Sequence, residues 1–170
     1  MSECMMRNGL GAEHPLNHVL QIGSLILFLA IWTLDSYVYR FSTHPAAFVP
    51  FPIRLILAGI LFSIAFLFLL LSHRKVINKI RDPPMIIESG VYGRVRHPMY
   101  LGILLFYAAL IISTLSLVSL ALWVGIFLVY DSLATYEEKD LIRNLGTVYA
   151  GYLQRVPKWM PRISREKGRC

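Results

Sequence analysis

Ser89-Gly90-Val91-Tyr92-Gly93-Arg94-Val95-Arg96-His97-Pro98-Met99-Tyr100 is the stretch on which the rest of the chain turns. It is polar, cationic and broken by glycine, and it lies between two strongly apolar regions. Proline disfavours helix at the residue before it and is preset for a first helical turn, so Pro98 opens a helix and His97 stands at its threshold. Downstream, no residue from Leu101 to Tyr130 is charged, and the only adjacent acidic pair, Glu137-Glu138, follows soon after. As one straight helix, residues 101–136 would reach about 54 Å at ~1.5 Å per residue. Folded in half they reach ~27 Å, close to one bilayer core. Ser113-Thr114-Leu115-Ser116 supplies a bend, so the spacing predicts a helical hairpin with arms over 99–113 and 116–136. The hairpin returns Glu137 to the side of His97.

Composition points the same way. Of the 170 residues, 56% are hydrophobic and 16% charged, too apolar for a soluble domain of this length. The net charge of +7 sits beside apolar spans, which favours a membrane surface over nucleic acid as the partner. Cys4 and Cys170 lie at opposite ends, and neither disulfide nor metal spacing is present; no metal is expected. No removable signal peptide is read at the N-terminus, so the first span serves as the address.

The expected fold is all-α and multi-pass, one integral-membrane domain over residues 1–170. Two N-terminal transmembrane helices, about 17–38 and 55–72, precede the hairpin, and a cytoplasmic C-terminal helical segment follows it. Pro45, Pro50 and Pro52 make 41–53 a loop. If residues 73–98, the C-terminal tail and the N-terminus share one side, that side holds every lysine and arginine except Arg40 and Arg54. This positive-inside imbalance puts both polar clusters on the cytoplasmic face.

The clusters can do chemistry. A helix start beside Arg96 and His97 suits an anion; the plainer reading is that Arg94 and Arg96 obey the positive-inside rule and His97 caps a helix. At about 100° per residue, Glu138 falls on the arc of Leu141, Ile142 and Leu145, with Glu137 at its edge and Lys139, Asp140 and Arg143 opposite. Acids on an inward stripe need partners, whereas a solvated acidic face would point them outward. Tyr92, Tyr100 and Tyr136 can stack on a ligand or anchor at the interface. Gly90, Gly93 and Gly102 fit close approach of backbone to a ligand or to another helix. Trp159, with Lys158 and Arg162, reads as a surface-lying anchor. No Gly-x-Gly-x-x-Gly, phosphate loop or His-Glu-x-x-His occurs.

Gly90-Val91-Tyr92, Arg96-His97-Pro98-x-Tyr100, Glu137-Glu138-x-x-Leu141-Ile142-x-x-x-Gly146-x-x-Tyr149-x-x-Tyr152 and Arg155-Val156-Pro157 occur in that order. Together they resemble the isoprenylcysteine carboxyl methyltransferase and phospholipid methyltransferase family, over roughly residues 84–163. The resemblance implies a multi-pass membrane enzyme using S-adenosyl-L-methionine. It implies main-chain contacts to that cofactor at Met85, Ile86 and Ile87. Tyr92, His97, Pro98, Met99 and Tyr100 would line its methionine and adenosine ends, and Glu137 and Glu138 would hold its polar groups. Glu137 and Arg96 are the residues expected to act in catalysis. The acceptor would be lipophilic, with the carboxylate of a prenylated cysteine as the leading candidate and a phospholipid amine or small thiol as alternatives. One departure bears on that choice: carboxyl-methylating relatives carry an arginine about one turn before the glutamate pair, where this chain has Leu133. An integral-membrane sterol-type reductase and a non-catalytic membrane scaffold are the competing classes.

Overall fold

The computed structural model describes residues 15–79 and 88–160. These form five α-helices: α1 (Pro15–Thr33), α2 (Phe51–Lys79), α3 (Pro98–Thr114), α4 (Leu117–Leu145) and α5 (Thr147–Arg155). A π-helical turn, Leu34–Tyr39, prolongs α1, and short 3-10 turns occupy His44–Ala47 and Gly90–Gly93.

Each hairpin boundary has a local cause. Pro98 is in the first turn of α3 and His97 is its N-cap. The helix stops where Leu115 adopts a left-handed conformation, φ 53°. Ser116 then caps α4, its hydroxyl accepting from the Ser119 N–H at 3.0 Å. The bend therefore falls inside the expected Ser113–Ser116 segment. Two helices run further than their expected spans: α2 continues through Arg74 to Lys79, and α4 continues past the glutamates to Leu145. Charged residues mark where a helix leaves an apolar phase but do not unwind it. The stop for α4 is Gly146, at φ 58°.

Contacts fix the directions of the helices. Arg54, early in α2, donates to the Ser113 carbonyl at the end of α3. Phe62 faces Phe106 with ring centres 5.7 Å apart. Further along, a Cβ on Gly102 would stand 2.9 Å from Leu69 Cγ and 3.2 Å from the Ala65 carbonyl oxygen. So α2 and α3 pack antiparallel, and glycine at 102 permits their close approach. On the other flank Phe28 of α1 stacks on Tyr107 at 4.4 Å, and Trp32 donates to the Leu110 carbonyl. The core is aromatic, with Phe28, Tyr107 and Tyr130 fully buried and Tyr100 nearly so.

Among the described residues, three helices are long and apolar enough to cross a membrane: Val19–Tyr39, Phe51–Arg74 and Leu117–Leu145. The fourth expected span, α3, is a shorter apolar helix of 17 residues, about 25 Å at ~1.5 Å per residue. Large apolar side chains cover the outside, among them Ile56, Ile60 and Phe66 on α2 and Leu120, Val124 and Leu128 on α4. Such a surface suits lipid rather than water.

Candidate functional site

The site begins with two helix positions. His97 is held at the start of α3, and Glu137 and Glu138 lie on the far end of α4. Because the hairpin doubles back, these ends meet. His97 Nε2 lies 2.9 Å from Glu138 Oε1, and its Nδ1 lies 3.7 Å from Glu137 Oε2. Arg96 Nη1 reaches the other Glu138 oxygen at 3.3 Å. The Tyr100 hydroxyl, one turn into α3, donates to Glu137. The imidazole and the Tyr100 ring are stacked, 5.7 Å apart and within 7° of parallel.

The two acids differ. Glu138 is 12% exposed and is held by both Arg96 and His97, whereas Glu137 is 29% exposed. Lys139, Asp140 and Arg143 face outward, as the helical arc predicts, but Ile142, placed on the inward arc, is exposed too. The inward stripe is thus narrower than the expected one and consists of Glu138, Leu141 and Leu145. Arg96 carries a second feature: its Nε is buried and has no hydrogen-bond partner among the described residues. A buried donor left unpaired costs about 1–3 kcal/mol. An anion supplied from outside the chain would remove that cost.

The remaining expected residues fall as follows. Pro98 is buried and Met99 half-buried beside His97. Tyr92 is half-buried, and its carbonyl accepts from the Tyr152 hydroxyl at 2.7 Å. Met85, Ile86 and Ile87 lie outside the described residues. Gly93 has a packing role, since a Cβ there would sit 2.6 Å from the Glu88 carbonyl oxygen.

Three groups near the site were given no role in it from sequence. Tyr149 of α5 is buried, and burial pushes its hydroxyl up to about 12, with the negative charge of Glu138 adding to the effect and Arg96 opposing it. Tyr152 is raised as well, chiefly by burial. Trp159 is not a surface anchor: it is half-buried against the core, with its ring 5.5 Å from Phe127 and 6.1 Å from His97. Its indole N–H donates to Asp131. An aromatic residue near a chain end looks interfacial from local pattern alone; its acidic partner is distant in sequence.

A basic helix start, two carboxylates and several aromatic side chains thus meet at one end of an apolar bundle. Residues 48–147 match the phospholipid methyltransferase family, and the chain belongs to that family. Methyltransferases of that family use S-adenosyl-L-methionine as methyl donor. The chain is also 33% identical over 92 residues to a methanethiol S-methyltransferase of Pseudomonas sp. (strain GM41(2012)). That alignment covers 54% of this chain and about a third, 35%, of the relative. No solved structure matches the chain significantly.

Proposed function

We propose that this protein is an integral-membrane methyltransferase that moves a methyl group from S-adenosyl-L-methionine to a small, uncharged lipophilic acceptor, a thiol by first preference. The observation that carries the reading is the Arg96–Glu138–His97 cluster with Glu137 beside it. Its donor set fits the cofactor. Arg96, with its unpaired Nε, and the positive end of α3 suit a carboxylate. The half-exposed Glu137 suits an ammonium or ribose hydroxyls. Glu138 holds Arg96 and His97 in register, and Tyr92, Pro98, Met99 and Tyr100 line the same end of α3. Contacts from Met85, Ile86 and Ile87 rest on family resemblance alone. When bound, the cofactor supplies an electrophilic methyl group on a cationic sulfur. The chain's own contribution is to grip, align and exclude water.

Two observations favour a neutral acceptor over the prenylcysteine carboxylate. Leu133 is half-buried against the core where carboxyl-methylating relatives have arginine, and α4 carries no basic residue from 117 to 138. The relative whose name specifies a small thiol points the same way. A lipid amine is the second reading, supported by the open, largely apolar face of α4 formed by Leu128, Val129, Ser132, Leu133 and Tyr136. The bunching of basic residues at the His97 end supports a cytoplasmic site.

Labelled S-adenosyl-L-methionine should bind the detergent-solubilised protein saturably, with His97→Ala and Glu137→Ala each weakening binding about tenfold or more. Failure of the wild type to bind, or unchanged binding by both variants, overturns the site. Offered small thiols, a lipid amine and a prenylcysteine, the enzyme should methylate the thiol fastest; methylation of prenylcysteine alone overturns the acceptor.

A further inference from the structure

The chain beyond α5 turns back across the site. Between Tyr152 and Trp159 it makes a connected series of contacts. The Tyr152 hydroxyl donates to the Tyr92 carbonyl at 2.7 Å, and Arg155 pairs with Glu88 at 2.9 Å. The Pro157 carbonyl accepts from the Arg96 N–H at 3.0 Å. Next, the Lys158 ammonium donates to the Asp131 carboxylate, to the Asp131 carbonyl at 2.9 Å and to the Thr135 hydroxyl at 2.7 Å. The Trp159 indole N–H donates to the same carboxylate at 2.7 Å. This strap joins the segment bearing Arg96 and His97 to the helix bearing Glu137 and Glu138.

Its fastening differs from an ordinary surface ion pair, which is worth little. The Lys158 side chain is only 17% exposed, and each of its three N–H donors has an acceptor. The partner Asp131 is 42% exposed but receives two donors, one from a rigid indole. The consequence is local. Residue 157 fixes the backbone of Arg96, and the side chains of 158 and 159 fix residue 157. A small displacement there would lengthen the His97–Glu138 and Arg96–Glu138 contacts, and both weaken steeply with distance. Trp159, tilted against the His97 ring, walls one side of the cluster.

We propose that Asp131 is a positioning residue for methyl transfer: through Lys158 and Trp159 it fastens the strap that keeps Arg96 and His97 facing the glutamate pair. The proposal rests on the methyltransferase reading above. The test uses the full-length protein in detergent with Asp131→Asn, Lys158→Met, Lys158→Arg and Trp159→Phe. Cofactor affinity is measured by calorimetry, kcat and acceptor KM by turnover, and indole emission by titration with S-adenosyl-L-methionine. For Asp131→Asn and Lys158→Met, affinity for the cofactor should fall about fivefold or more and kcat about tenfold, with acceptor KM within about twofold. Lys158→Arg, which keeps the charge, should recover most of the loss. Trp159→Phe should remove most of the cofactor-induced emission change. A merely structural tether would lower the active fraction and leave the affinity and kcat of that fraction untouched; that result overturns the proposal. If Asp131→Asn does not fold, Lys158→Met and Trp159→Phe, which retain the carboxylate, decide the matter. Absence of binding by the wild type removes the methyltransferase reading and this proposal with it. Wild-type binding matched by every strap variant removes this proposal alone.

Discussion

The bundle has a polar cluster at each end, and each contains an acid. Near the α3–α4 bend, Asp35 is 6% exposed and accepts from the Ser42 N–H, the Ser42 hydroxyl and the Ser116 hydroxyl. Ser116 also contacts Ser119, and Ser42 Oγ accepts from the Val118 N–H. The carboxylate's donors are hydroxyls and amides of its own chain, and the contacts tie α1, the 40–43 loop and the bend together. At the opposite end Arg96 Nε is buried without a partner among the described residues. One cluster spends its hydrogen-bonding capacity inside the fold, and the other keeps some in reserve. Buried polar groups are normally satisfied, so the shortfall rather than the charge marks the end suited to a ligand.

That contrast is easiest to break at Glu138. Its carboxylate is shared by Arg96 and His97, so Glu138→Ala leaves both bases without it. Affinity for S-adenosyl-L-methionine should fall about 100-fold or more, on the order of 3 kcal/mol, in the fraction that remains folded, whatever the melting temperature does. Unfolding without a selective loss of binding would make this end structural too.

Asp35→Ala should show the converse. Three hydrogen bonds vanish and Ser42 and Ser116 lose their acceptor, which costs about 2–4 kcal/mol of stability. Thermal melting in detergent should shift downward while cofactor affinity stays within about twofold. Lost binding at an unchanged melting temperature would invert the comparison.

The two ends also differed in how well sequence foretold them. Pro98, the uncharged run and the Ser113–Ser116 break gave away the hairpin, because proline and capping chemistry act over one turn. Hairpin length then sufficed to bring His97 to the glutamates. In the sequence, Asp35 is only a charge near the end of the 17–38 span. Its partner Ser116 is 81 positions away, and no periodicity links them. Trp159 failed for the same reason, since Asp131 lies 28 positions back, on α4. A charge on an otherwise apolar helix needs a partner; that rule flags Asp131 but does not say that Lys158 and Trp159 are the residues that meet it. The 116–136 arm marked only the apolar length, and the helical arc of Glu138, Leu141 and Leu145 already required helix beyond it; the stop itself is Gly146.

The smallest effect concerns Tyr149, on α5 outside the candidate spans. Burial and the nearby Glu138 carboxylate raise its hydroxyl from 10.0 to about 12. The folded state therefore holds the phenol proton more tightly than the unfolded chain does. The stability linked to this proton is fully present below pH 10 and is lost as pH rises toward 12. Tyr149→Phe should leave melting at neutral pH nearly unchanged and should flatten part of the decline above pH 10; Tyr152, also raised by burial, keeps the remainder. Because the shift draws on Glu138, the alkaline decline should also shrink in Glu138→Ala. If Tyr149→Phe flattens the alkaline limb and Glu138→Ala leaves it as in the wild type, the phenol feels burial alone, and the field of the glutamate pair does not extend to α5.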